Sequence, residues 1–182
     1  MTGKIEIPLS KNKLFLGIVG SILFVVLGIW LFINADGFQE HSMRLLRNPR
    51  VIKGTGILAT LFFGTTGIYG FRKLFDKKIG LIIDSNGITD NSNASSVGLI
   101  EWNDISEIKT QQVMSTKFLL INVTDPEKFI GKAKIGMKSR LMRTNMKMYG
   151  TPLSITSNTL KYDFEKLEQL IKTEFERNKN VG

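Results

Sequence analysis

The chain reads as an α+β membrane protein, a two-helix transmembrane hairpin followed by an antiparallel β domain capped by a C-terminal helix. Three observations predict this. Residues 14–33 form a run of 20 without a charge. Residues 54–71 form a second uncharged run, of 18. From Ile79 onward, short β-rich stretches between turn residues lead to one strongly amphipathic stretch at the C-terminus.

The first run predicts a helix about 30 Å long, enough to cross a hydrocarbon core. It lacks the polar face that a water-soluble helix keeps. Lys11 and Lys13 precede it, as in a signal peptide, but the run is longer than a signal core and no Ala-x-Ala site follows it. Residues 34–53 are a polar connection. Around residues 39–46 they allow either a short amphipathic helix on the membrane surface, ended near Asn48-Pro49, or a solvated loop. The second run is about 27 Å of helix. Gly56, Thr60 and Gly64 recur every four residues on one face, as Gly17 and Ser21 do in the first run. Small residues of this kind let helix backbones approach, so the two spans are expected to pair as an antiparallel hairpin. Neither run contains Asp, Glu, Lys, Arg or His, which argues against an ion path or a proton relay.

Seven Lys or Arg flank the spans on the side of the termini (Lys4, Lys11, Lys13, Arg72, Lys73, Lys77, Lys78), against four in the connection. That bias predicts a multi-pass protein of a cell inner membrane with both termini cytoplasmic. Domain 1 is then residues 1–78, an N-terminal arm plus the hairpin. Domain 2 is residues 79–182.

In domain 2, strands are expected at 79–84, from 88, at 97–102, at 105–114 and at 117–123, with Ser85-Asn86-Gly87 a hairpin turn. Phe118–Ile121 has no alternation and reads as a buried central strand. Asp125 can cap a helix with Pro126 at its first position. The basic insertion, residues 125–148, is expected to be largely helical, with Ile130, Ala133, Met137, Leu141 and Met148 on one face. Gly131 and Gly136 weaken that helix. Leu153 and Ile155 alternate as a last strand. Asp163 caps the final helix, whose stripe Phe164, Leu167, Leu170, Ile171 and Phe175 should cover the sheet.

The segments Gly80–Asp84, Gly87–Asp90, Ile100–Ile105 and Tyr149–Ile155 resemble a family of small bacterial membrane proteins, each with two spans followed by a pleckstrin-homology-like domain. A meander closed by one C-terminal amphipathic helix is the layout of such domains. The resemblance covers nearly the whole chain and implies the architecture, with no catalytic or binding residue. The chain departs from a typical pleckstrin-homology domain in the 125–148 insertion. Its strand hairpins Ser85-Asn86 and 91–96 are uncharged, unlike a phosphoinositide pocket.

Cysteine is absent, so disulfide and thiolate chemistry are excluded, and His41 is the one histidine. No nucleophile elbow, phosphate-binding loop or dinucleotide fingerprint is present, so no catalytic residue, cofactor or metal is expected. The acid pairs Glu101/Asp104 and Asp104/Glu107 read as surface and capping groups, and Trp102 as a packing residue. The formal charge of +9 points, in a membrane protein, to anionic lipid rather than nucleic acid. Candidate lipid or partner contacts are Arg72, Lys73, Lys77 and Lys78 after the second span, and Lys132, Lys134, Lys138, Arg140, Arg143 and Lys147 in the insertion. The expected function is a membrane-anchored binding or scaffold module that meets anionic lipid or an acidic partner. The alternative is an accessory subunit of a larger membrane complex.

Overall fold

The computed structural model describes residues 3–38, 48–133 and 136–179. The chain divides into two compact units. Lys11–Lys77 make one, and the chain on either side of them makes the other.

The helical unit holds α1 (Lys11–Ile33) and α2 (Pro49–Leu74), helices of 23 and 26 residues, with a 3-10 turn at Ala35–Phe38 between them. Asn48 and Pro49 open α2 rather than closing a preceding helix. The Asn48 side chain accepts from the Arg50 N–H at 3.0 Å, and Pro49 takes the first position, where a missing N–H is harmless. The expected helix at 39–46 lies outside the described residues. The helices run antiparallel. Gly28 faces Gly56 and Thr60, the rings of Phe24 and Phe63 stack at 4.3 Å, Ser21 faces Gly67 and Ile18 faces Gly70. The small-residue contact is therefore partly other than expected: Gly56 and Thr60 meet Gly28, whereas Gly17 and Gly64 look into open space. The buried positions of α1, Leu14, Ser21 and Gly28, recur every seven residues, and Gly17 falls outside that repeat. Large apolar side chains such as Leu16, Leu58 and Phe62 point outward, and Ser21, Gly28 and Gly56 point inward.

The β unit contains two antiparallel sheets. The first has the order β1-β2-β3-β4: β1 (Ile5–Ile7), β2 (Leu81–Asp84), β3 (Gly87–Asp90) and β4 (Gly98–Glu101). The second has the order β5-β6-β7: β5 (Ile105–Val113), β6 (Thr116–Val123) and β7 (Leu153–Ile155). The N-terminal arm thus belongs to the β unit and not with the helices. Ile5 pairs with Ile83 and Ile7 with Leu81, and Ile7 is buried in the core. The reason is its alternation, which gives β2 the neighbour that its buried edge needs.

The Asn86-Gly87 signal forms the expected β2–β3 hairpin. Gly87 sits at φ +153°, and a side chain there would run into the Ile100 carbonyl. The β5–β6 turn is Met114-Ser115, one residue earlier than its polar signal, with Val113 paired to Thr116. Met114 takes the positive φ, 54°, that such a turn requires. β6 is the central strand of its sheet, with Leu119 and Ile121 fully buried.

α5 (Phe164–Lys179) closes the core with Phe164, Leu167, Ile171 and Phe175, four of the five residues of the expected stripe; Leu170 packs at its margin. Asp163 caps it by accepting from the N–H groups of Glu165 and Lys166. Side chains tie α5 to the second sheet: Thr110 donates to Glu168 and Lys117 to Glu165, both at 2.6 Å. The Lys117 ammonium holds the Glu165 carboxyl below the usual glutamate range, and Lys172 with Thr110 does the same for Glu168.

Candidate functional site

The basic insertion between β6 and β7 is two helices, not one. Asp125 accepts from the Lys128 N–H at 3.2 Å and Pro126 starts α3 (Pro126–Lys132). α3 buries Phe129 and Ile130. α4 (Met137–Tyr149) starts afresh after Gly136, which sits at φ +150°, a conformation that no other residue type adopts readily. Gly150 ends α4 in the left-handed conformation, its N–H bonded to the Met146 carbonyl.

The break re-phases the second helix. Met142 is fully buried, Asn145 donates to the Pro152 carbonyl and the Ser154 hydroxyl, and the Tyr149 ring stacks on Phe118. That places the packed face along Met142, Asn145 and Tyr149. Met137, Leu141 and Met148, expected to share one face with the buried Ile130, are 69%, 39% and 64% exposed. The expected face assumed one continuous helix from Asp125, and a new start at Gly136 removes that register.

The basic side chains fall into two groups. Several are held by acids. Lys128 reaches both carboxylate oxygens of Asp104 at 2.7 Å, which raises its ammonium above the ordinary lysine value. Arg143 pairs with Glu127 at 3.3 Å. In the helical unit, Lys73 pairs with Asp76 at 2.8 Å and is only 8% exposed, so its ammonium is turned away from any surface it was expected to meet. The others face outward. Arg140 and Lys147 are exposed and Lys138 is half-buried, and none makes an ion pair with a described residue. Lys132 lies over the Phe129 ring at 4.9 Å, with its charge accessible. Arg72 in the last turn of α2, and Lys77 and Lys78 beyond it, are exposed. Lys134 lies outside the described residues. The structure thus groups Lys132, Lys138, Arg140 and Lys147 on α3 and α4 of the β unit, whereas Arg72 and Lys77 belong to the helical unit and Lys78 begins the second stretch of the β unit.

The remaining polar features are spoken for. Trp102 is buried, donates its indole N–H to the Asp84 carbonyl at 2.9 Å and packs on Phe175. Glu107 takes Lys109 and Asn122, which hold its carboxyl low. Among the described residues no group of His, Asp and Glu is arranged to hold a metal ion. A cleft of about 470 Å³ lies beside the β2–β3 turn, lined by Ser85, Asn86, Leu99, Glu101, Trp102, Asn103 and Asn178. It carries one acid and no base. Sequence reasoning found the bases and left Met137 and Leu141 open between the sheet and the headgroup region, but missed the break that decides between them. Gly136 was its one visible signal.

The chain matches no family model, no curated protein and no solved structure. What stands is the architecture: two long apolar helices near the N-terminus, two antiparallel sheets and a closing helix.

Proposed function

We propose that the protein is a membrane-anchored binding or scaffold module, with α1 and α2 as a transmembrane hairpin and a pleckstrin-homology-like β unit that meets anionic lipid heads through Lys132, Lys138, Arg140 and Lys147. The observation that carries this reading is the set of outward bases on α3 and α4, which no described acid neutralises. Attraction of such bases to an anionic surface falls as salt rises.

The hairpin reading is supported by its inside-out composition. Small residues line the contact and large apolar ones face outward. In water that arrangement would expose most of the apolar surface; in lipid it is the ordinary one. Two antiparallel sheets closed by α5 support the pleckstrin-homology-like reading. Connectivity supports a common side for the β unit and the two helix ends. β1 precedes α1 by three residues, β2 follows α2 by six, and β1 pairs with β2. The seven-to-four basic bias favours the cytoplasm for that side. A reading as accessory subunit draws on one feature, a shallow apolar groove of about 250 Å³ between Ile29, Phe32, Gly56, Ile57, Thr60 and Leu61.

Two measurements test the proposal. With Ser42→Cys in the connection and Asn158→Cys on the β unit, an impermeant thiol reagent on intact cells should label only the former; the opposite pattern reverses the orientation. For the lipid contact, the full chain belongs in nanodiscs, because β1 lies ahead of the spans and a fragment starting at Ile79 would lack it. Energy transfer from a donor on the β unit to labelled headgroups should be stronger in anionic than in neutral discs and should decline with salt. Changing Lys132, Lys138, Arg140 and Lys147 to Gln should remove that difference. Equal transfer in both lipids at low salt would leave the bases without a lipid role.

A further inference from the structure

We infer that α4 is a membrane wedge: Met137, Leu141 and Met148 enter the bilayer surface while Arg140 and Lys147 stay at the headgroups. The inference rests on the lipid-contact reading above and deepens it, from attraction at a distance to insertion.

The geometry of one helix carries it. Met137, Leu141 and Met148 stand four and seven residues apart and therefore share a stripe. They are among the most exposed apolar side chains of the β unit, at 69%, 39% and 64%. The adjoining face, about a quarter turn away, is already committed to the core through Met142, Asn145 and Tyr149. α4 is thus anchored along one face and offers an apolar ridge along the next. Beside the ridge run Arg140 and Lys147, seven residues apart and exposed, whereas Arg143 is drawn off by Glu127.

An apolar stripe bordered by bases is the pattern of helices that lie in a membrane interface. Charge decides the occupant. A water-filled surroundings would leave the ridge bare, and a protein partner would need acids set along both bases. An anionic bilayer supplies both chemistries in one surface, acyl chains for Met and Leu and phosphates for Arg and Lys. Methionine suits the task because its unbranched side chain adapts to an irregular medium. Chain connectivity adds concentration, since six residues link α2 to β2. The ridge should therefore favour anionic membranes whose heads are loosely packed, where apolar side chains find gaps.

The chain has no cysteine, so single thiols can be placed at will. Met137→Cys, Leu141→Cys and Met148→Cys would each carry an environment-sensitive fluorophore in the full chain, in nanodiscs. Gln169→Cys, exposed on α5, is the control. In discs of phosphatidylglycerol with brominated acyl chains, the three ridge positions should be quenched about twofold or more, and Gln169→Cys should not. The quenching should be smaller in phosphatidylcholine and in tightly packed saturated lipid. Headgroup energy transfer, measured on the same samples, separates the two levels. Salt-dependent transfer without bromine quenching would overturn the wedge and leave the electrostatic contact standing; loss of both would overturn both. Ridge labels shielded from an aqueous quencher yet untouched by bromine would mean that a protein covers the ridge, and would also overturn the inference.

Discussion

Gly28→Leu is expected to separate the two long helices. A single Cβ at Gly28 would already stand 2.7 Å from the Thr60 hydroxyl and 2.8 Å from the Gly56 carbonyl oxygen, and one at Gly56 would stand 2.5 Å from the Gly28 carbonyl. Backbone atoms cannot yield to such contacts, so the helices must move apart or rotate. Overpacking of this kind costs about 1–3 kcal/mol or more, and the loss extends to the neighbouring contacts of Phe24 with Phe63. Gly64→Leu, a change of the same size into open space, is the control. Cysteines at Ser21 and Gly67, which face each other, should cross-link readily in the parent chain and in Gly64→Leu, and slowly in Gly28→Leu. Equal cross-linking in all three would show that the crossing does not depend on the glycine pair.

Leu167→Ala should be the most damaging single truncation in α5. Leu167 is fully buried, between the two sheets and the helix that closes them. Removing its isobutyl group leaves a cavity and should cost about 2–5 kcal/mol. Lys172→Ala, on the same helix, removes an exposed side chain bonded to Glu168 and should cost under about 0.5 kcal/mol. Denaturant titration followed by the fluorescence of Trp102, which packs against Phe175, reads both. Comparable midpoint shifts for the two variants would mean that the stripe is not the packed face.

Elements whose signals are local were legible in the sequence. The two uncharged runs, the Asn86-Gly87 turn, the Asp125-Pro126 start and the Phe164–Phe175 stripe each carry their instruction within a few residues, and each appears in the structure where those signals put it. What was not legible depended on phase or on distant pairing. The arm at residues 5–9 allows either a brief strand or an extended stretch, and the partner that decides for a strand at Ile5–Ile7 lies beyond both helices. The face of α4 depends on where the helix restarts, and Gly136 moved that start. Among the bases, only the fold shows which have found acids. Lys128 meets Asp104 from another loop and Arg143 meets Glu127 from another helix, and no spacing rule joins those pairs.

The placement of the helices between β1 and β2 also sets an order of events during synthesis. Ile5–Ile7 leaves the ribosome first and has no partner until Leu81–Asp84 follows. At about 5–20 residues per second the wait is roughly 4–16 s, and both long helices emerge within it. The first sheet can therefore be completed only after both long helices have been synthesised. Closing it then draws the two ends of the hairpin together. A ribosome that stalls inside α2 would leave β1 as a lone three-residue strand, because every other strand and every other residue of the core cluster lies further along the chain. The folded β unit is in this sense a record that both long helices have already been made.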